Sequence, residues 1–259
     1  VLGVEKFGYI GLSLSVNQYL MLLVDFGFNL SATKKIAQAK NDSDELNKIF
    51  YATLWAKVGL LIISFILLLI LAFTIPQFKI YSSTMMIMFI MVFANTFSFI
   101  WLFQGLGKIR IVSIINTISK LLILPLTFIF VKSAEDYNLA ALIQSFTYVL
   151  SSILTIIFLI KNKYITGWFI STKDRIKTEL KSAYPIFLSI AATSIYTASF
   201  PIILGLFSSP VEVGKYTAAE KIMRSLCYFA FIPISQSFFP KVNELSLKSK
   251  KEAISLVKK

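Results

Sequence analysis

Lys120 stands in an apolar run, Ile111 to Val131, that contains no other charged residue. An ammonium group in such a run is costly to place in hydrocarbon, and side chains of this kind usually face a bundle interior or a water-filled cavity. Asn116 lies one helical turn earlier on the same face, with Ser113 and Thr127 close to that stripe. A cation flanked by an amide and hydroxyls suits the binding of an anion by charge and by hydrogen bonds. The alternative is a structural hydrogen bond or ion pair to a neighbouring helix.

Three other basic residues fall inside apolar runs: Lys57, Lys221 and Arg224. With Lys120 and Asn116 they form the candidate substrate-binding set. Asp25, with Gln18 two turns before it, can pair with a lysine such as Lys57 on the next helix, so ion coupling and structural pairing are both open to it. Glu220 and Arg224 are spaced i,i+4 and can bond along their own helix, while Lys221 can snorkel to the outer interface. Ser189, Thr193 and Thr197 recur every fourth residue in one run, and Gln144, Tyr148 and Ser152 in another. Such faces avoid lipid, either by packing helix on helix or by lining an aqueous cavity.

Catalytic readings find little support. The chain has no histidine, which removes a histidine general base, an imidazole metal ligand and a serine–histidine–aspartate triad. Gly105-Leu106-Gly107-Lys108 lacks the spacing and the strand-to-helix context of a phosphate loop and reads as a tight turn. Glu135 and Asp136 read as a solvated turn, and Cys227, the single cysteine, as a small apolar side chain with no disulfide. No metal site and no cofactor are expected.

Seven apolar stretches must position these residues: Tyr9 to Leu30, Ile49 to Ile75, Thr84 to Phe103, Ile111 to Val131, Leu139 to Ile160, Ala183 to Phe207 and Tyr216 to Phe239. Each approaches the roughly 20 residues that a helix needs to cross a bilayer. The sequence is 56% hydrophobic and only 15% charged, so lipid must cover much of the surface. Of 26 Lys and Arg residues, 18 lie in alternate loops (Thr33 to Lys48, Gln104 to Arg110, Lys161 to Lys181, Pro240 to Lys259), against four in the opposite loops. That bias assigns the first set to the cytoplasm. It also accounts for the net charge of +13 without nucleic acid, because these cations sit at helix ends and not on one continuous face.

The expected fold is therefore all-α, a polytopic transmembrane helix bundle. Val1 lies on the outer side by the charge bias, which requires a preceding helix and makes the chain read as a fragment. Lys161 to Lys181 carries six basic residues, with Trp168, Phe169, Ile170, Ile176 and Leu180 among charges, and reads as an interfacial amphipathic segment on the cytoplasmic face. It divides a first transmembrane lobe, residues 1–160, from the start of a second, residues 182–259.

Leu23-Val24-Asp25-Phe26-Gly27-Phe28, then Ala32-Thr33-Lys34-Lys35-Ile36-Ala37, Trp101-Leu102-Phe103-Gln104-Gly105 and Val213-Gly214-Lys215-Tyr216-Thr217-Ala218-Ala219-Glu220-Lys221-Ile222 follow one another in order. Together they resemble the O-antigen flippases (Wzx type) of the multidrug/oligosaccharidyl-lipid/polysaccharide exporter superfamily, over nearly the whole chain. The resemblance implies a bundle of twelve or more helices in two lobes around a cationic cavity that opens to either side in turn. This chain would lack the first helix and the last several. The resemblance implies translocation of polyprenyl-diphosphate-linked oligosaccharide, an O-antigen or capsule repeat unit, across the bacterial cytoplasmic (inner) membrane, with no covalent chemistry. Lys120 and Arg224 become candidate contacts of the diphosphate or sugars, and Asp25 a candidate for coupling or helix pairing. Membrane lipid, a polysaccharide polymerase and the chain-length machinery are the implied partners.

Two other classes compete. A drug or small-molecule antiporter of the same superfamily would favour membrane carboxylates, yet Asp25 and Glu220 are outnumbered by cations. A membrane glycan polymerase would be expected to carry a large outer loop, and every outer loop here is short.

Overall fold

The computed structural model describes residues 1–165 and 171–227, without the side chains of Tyr196 and Thr197, and every regular element among them is helical. The elements are α1 (Gly3–Asp25), α2 (Phe28–Gln38), α3 (Ser43–Thr74), α4 (Ser82–Thr96), α5 (Ile100–Gly105), α6 (Ile109–Phe130), α7 (Tyr137–Lys161), α8 (Lys173–Ala198) and α9 (Phe200–Phe207). A tenth helix, α10, runs over 210–227. Residues 1–214 form one compact unit, and the described part of a second begins at Lys215.

Five helical stretches are long and apolar enough to cross a membrane: α1 with α2, α3, α4 with α5, α6, and α7. The pair α8–α9, bent by 55°, makes a sixth when the two helices are counted as one broken span. Five of the seven expected stretches are thus present as spans of a multi-pass membrane protein, and the stretch Ala183 to Phe207 corresponds to the bent pair. The seventh, Tyr216 to Phe239, is helical to 227 and otherwise lies outside the described residues.

Local chemistry explains where these helices start and stop. Asp42 caps α3 by accepting the backbone N–H groups of Asp44 and Glu45 at 3.1 and 3.0 Å. Asp44 and Glu45 then lie against the positive end of the helix dipole. The helix α1 ends at Phe26 and Gly27, both left-handed with φ of 43° and 80°. Gly27 is needed there twice over, because a Cβ would also lie 2.9 Å from the Ala183 carbonyl oxygen of α8. Between α4 and α5 the chain breaks at residues 97–99, with Phe99 left-handed at φ 49°. In the turn before α7, Asp136 accepts the N–H groups of Lys132 and Ser133 at 3.0 and 2.7 Å, so its carboxylate organises the turn.

The start of α8 differs from the sequence expectation. The helix begins at Lys173, inside the segment read as an interfacial strap, because apolarity marks where lipid begins and hydrogen bonding carries the helix further. Ile176 and Leu180 pack on the cluster around α2 and α3, so this half of the segment is a helix end docked on protein. Trp168, Phe169 and Ile170 lie outside the described residues. Two ion pairs fix the helix end: Lys35 with Glu179 at 2.8 Å, and Arg175 with Glu45 through contacts of 3.1 and 3.3 Å.

Two apolar clusters hold the bundle, and in lipid they cohere by close packing more than by exclusion of water. One joins Leu12, Val16, Leu20, Val24, Leu61 and Leu68 to Met85, Met88, Val92, Ile123 and Ile143. The other, toward the lysine-rich loops, joins Phe28, Ile36, Phe50, Ala56 and Leu60 to Phe99, Trp101, Phe103, Val112 and Leu159. Gly105 permits its tightest contact, since a Cβ there would stand 2.6 Å from Ile36. The sequence motifs around Gly27 and Gly105 therefore mark places where α1–α2 meets α8 and where α5 meets α2.

Candidate functional site

A polar layer lies between the two apolar clusters on four helices, and a lysine of a fifth joins it through an ion pair. From α1 to the start of α2 it falls between Val24 and Phe28, and from α4 through the break after it between Val92 and Phe99, whereas on α3 Lys57 stands within the second cluster, between Ala56 and Leu60. On α6 it lies between Val112 and Ile123, and on α7 between Ile143 and Leu159. Asp25, Asn95, Asn116, Lys120, Thr147, Tyr148 and Ser151 all belong to these gaps, and Lys57 reaches Asp25 from the second cluster. Two helix interruptions, at residues 26–27 and 97–99, occur beside it. Non-helical backbone at membrane depth is tolerated where it is buried in protein or lines a cavity.

One half of the layer is closed. The Lys57 side chain is only 1% exposed, and its Nζ donates to Asp25 Oδ1 at 2.8 Å. Asn95 donates its amide to both oxygens of the same carboxylate, at 3.2 and 3.3 Å. The positive and negative charges neutralise each other, and the carboxylate holds three hydrogen bonds. This is the pairing open to Asp25 from sequence, and it commits the Lys57 ammonium to a protein partner.

The other half is open. Asn95, Ser98, Ile100, Asn116, Lys120, Thr147, Tyr148 and Ser151 line a cavity of about 230 Å³. Ser151 donates its hydroxyl to Asn116 Oδ1, tying α7 to α6. Thr155 reaches back to the Ser151 carbonyl at 2.7 Å, and the Ser98 hydroxyl bonds the Asn95 carbonyl at 2.9 Å across the α4–α5 break. Lys120 lines the cavity and is exposed, with no hydrogen-bond or ion-pair partner among the described residues. The cavity thus carries an uncompensated positive charge surrounded by neutral amides and hydroxyls. Such a lining attracts an anion and can hydrogen-bond to hydroxyl groups attached to it.

Of the residues singled out in the sequence, Lys120 and Asn116 therefore meet in one cavity, and Lys57 and Asp25 meet beside it. Glu220, Lys221 and Arg224 belong to the second unit, while the layer is built wholly from the first. Arg224 binds Glu220 along α10 through contacts of 3.0 and 2.7 Å, and Lys221 is exposed. Ser189 and Thr193 are exposed on α8, and the side chain of Thr197 lies outside the described residues.

Sequence reasoning missed Asn95, Ser98, Thr147 and Ser151. The available signal for Asn95 was an amide at the end of the apolar run from Met85. On α7 the face that reaches the cavity is Thr147, Tyr148 and Ser151, one position off the regular Gln144, Tyr148, Ser152 stripe.

Residues 1–246 match the family described as polysaccharide biosynthesis protein. The chain belongs to that family. One curated relative, from Escherichia coli (strain K12) and provisionally named an O-antigen transporter, is 30% identical over 258 residues, covering 100% of this chain and 62% of its own length. Another of the same provisional name, from Shigella dysenteriae, is 35% identical over 245 residues, covering 95% of this chain and 61% of its own. The chain thus spans about three fifths of the length of these curated relatives. No solved structure matches it.

Proposed function

We propose that the protein is a transporter of the cytoplasmic (inner) membrane that carries polyprenyl-diphosphate-linked oligosaccharide, an O-antigen or capsule repeat unit, from the cytoplasmic to the outer leaflet by alternating access. The observation that carries this reading is Lys120, a cation without a partner among the described residues, lining a polar cavity in a chain of the polysaccharide biosynthesis family. Its ammonium attracts the diphosphate, while Asn116, Asn95, Thr147, Ser151 and Tyr148 offer hydrogen bonds to phosphate oxygens or sugar hydroxyls.

Magnitudes suit transport better than storage. A single cation about 4 Å from a phosphate contributes ~4 kcal/mol at an effective dielectric of 20, before desolvation is subtracted. A carrier must release what it binds, so one free lysine among neutral groups is more useful than a cluster of paired ones. No bond is made or broken in the substrate, and the lining residues act by binding and orienting. The Asp25 carboxylate is already engaged by Lys57 and Asn95, which argues against a cation-binding antiporter centred there.

The test is the sidedness of lipid-linked oligosaccharide in cells lacking the complete gene. Accumulation on the cytoplasmic leaflet together with loss of surface polysaccharide is the expected result. Complete repeat units that reach the outer leaflet but stay unpolymerised would favour a polymerase, and no change in either would favour a small-molecule antiporter.

A further inference from the structure

At the lysine-rich end of the bundle, α8 meets α2 and α3 through two ion pairs of opposite polarity. Lys35 of α2 donates to Glu179 of α8 at 2.8 Å and to Ser182 at 2.8 Å. Arg175 of α8 grips Glu45 of α3 with both terminal nitrogens, at 3.1 and 3.3 Å. Arg175 and Glu179 stand one turn apart on a single face of α8. Their partners are held in place independently, Glu45 by the Asp42 cap at the start of α3 and Lys35 on the short helix α2.

We propose that these reciprocal pairs are an ionic clasp that keeps the lysine-rich face of the bundle shut, and that opening toward this face requires both pairs to part. The contact is built to be reversible. Lys35, Gln38, Asp42, Glu45, Arg175 and Thr178 surround a cavity of about 540 Å³ at this end, so the ion pairs are made by side-chain tips at the edge of an open space, beside the apolar contacts of Ile176 and Leu180. The pairs also differ in depth: the Glu179 side chain is 8% exposed, whereas Arg175 and Glu45 are 42% and 40% exposed. Water can take over the outer pair at little cost, while the inner pair resists. One turn or more deeper, Gly27 abuts the Ala183 carbonyl and Ile186, and Phe26 stacks on Phe187 at 4.5 Å, giving α8 a close apolar contact about which its end can swing. Because each pair reverses the sign of the other, a slipped register would bring like charges together, so the clasp closes in one way only.

The inference rests on the alternating-access reading for its purpose, but its test does not involve transport. In the full-length protein carrying Cys227→Ser, Ser31→Cys introduces a near-isosteric thiol one turn below Lys35 on the same face of α2, at a site only 8% exposed. Inverted membrane vesicles are treated with a membrane-impermeant maleimide, and the labelling rate is read. Glu179→Lys or Glu45→Lys should raise that rate about tenfold, the shift that ~1.4 kcal/mol produces. The charge swap Lys35→Glu with Glu179→Lys should return it to the parental rate. A rate unchanged by either reversal would overturn the clasp, as would a swap that labels as fast as the single reversal. If a reversed variant does not reach the membrane, the neutral Arg175→Gln, Glu179→Gln protein is read instead, with a smaller rise expected and a flat rate counting against the proposal. Leaflet sidedness of the lipid-linked oligosaccharide is a separate measurement, so failure of the clasp and failure of the transport reading are distinguishable.

Discussion

The two halves of the polar layer solve the same physical problem in opposite ways. On α1, α3 and α4 a buried lysine is neutralised at 2.8 Å by a carboxylate that a neighbouring amide also holds. On α6 and α7 a lysine lines a cavity and has no partner among the described residues, although Asn116 and Ser151 beside it bond each other. A closed charge pair in a membrane protein contributes to fold and register, whereas an open one leaves binding capacity. On the proposed reading, the contrast gives structural work to Lys57 and Asp25 and ligand work to Lys120.

The largest effect should come from breaking the closed half. Lys57→Ala leaves the Asp25 carboxylate buried beside Asn95 without its cation and should cost ~3–5 kcal/mol of stability, read as loss of folded protein from the membrane. The double variant Asp25→Leu, Lys57→Met removes both charges and should recover most of that loss. Next comes Lys120→Ala, with normal membrane levels and a tenfold to hundredfold loss of transport, matching the ~1.5–3 kcal/mol of a hydrogen bond to a charged group. Lys120→Arg keeps the charge and should retain part of the activity.

Asn95 touches both halves, since it bonds Asp25 and lines the cavity, so Asn95→Ala should lower protein stability by about 1 kcal/mol and transport by a few-fold together. A loss of only one of the two would show that the halves are energetically separate. The smallest change is expected for Asn116→Ala, which removes the link to Ser151. Interhelical hydrogen bonds in membranes average ~0.6 kcal/mol, so thermal stability should fall by a degree or two while Lys120 remains in place.

Much of this was legible in the chain. The expense of a charge in an apolar run picked out Lys120, Lys57 and Asp25, and helical spacing put Asn116 on the face of Lys120. The pairing of Glu220 with Arg224 followed from their i,i+4 interval and is present at 2.7 Å. Other features had weak signals. The break between α4 and α5 carries neither proline nor glycine, because Phe99 adopts a left-handed backbone that its packing at 4% exposure holds in place. Asn95, Thr147 and Ser151 are small polar residues of the kind that also cement helix pairs, and only the fold shows that they converge on one cavity. Likewise, nothing in the hydropathy of Lys173 to Lys181 separates an interfacial strap from the docked end of a long helix. Charge complementarity with Lys35 and Glu45 decides it, and that partnership spans more than a hundred residues of sequence.

The most direct test of the contrast is to measure membrane level and leaflet sidedness of lipid-linked oligosaccharide side by side for Lys120→Ala and Lys57→Ala in the complete protein. The account predicts that Lys120→Ala is present at the parental level yet leaves the oligosaccharide on the cytoplasmic leaflet, while Lys57→Ala is depleted from the membrane. Full transport by Lys120→Ala, or its loss from the membrane alongside a normal Lys120→Arg, would contradict it.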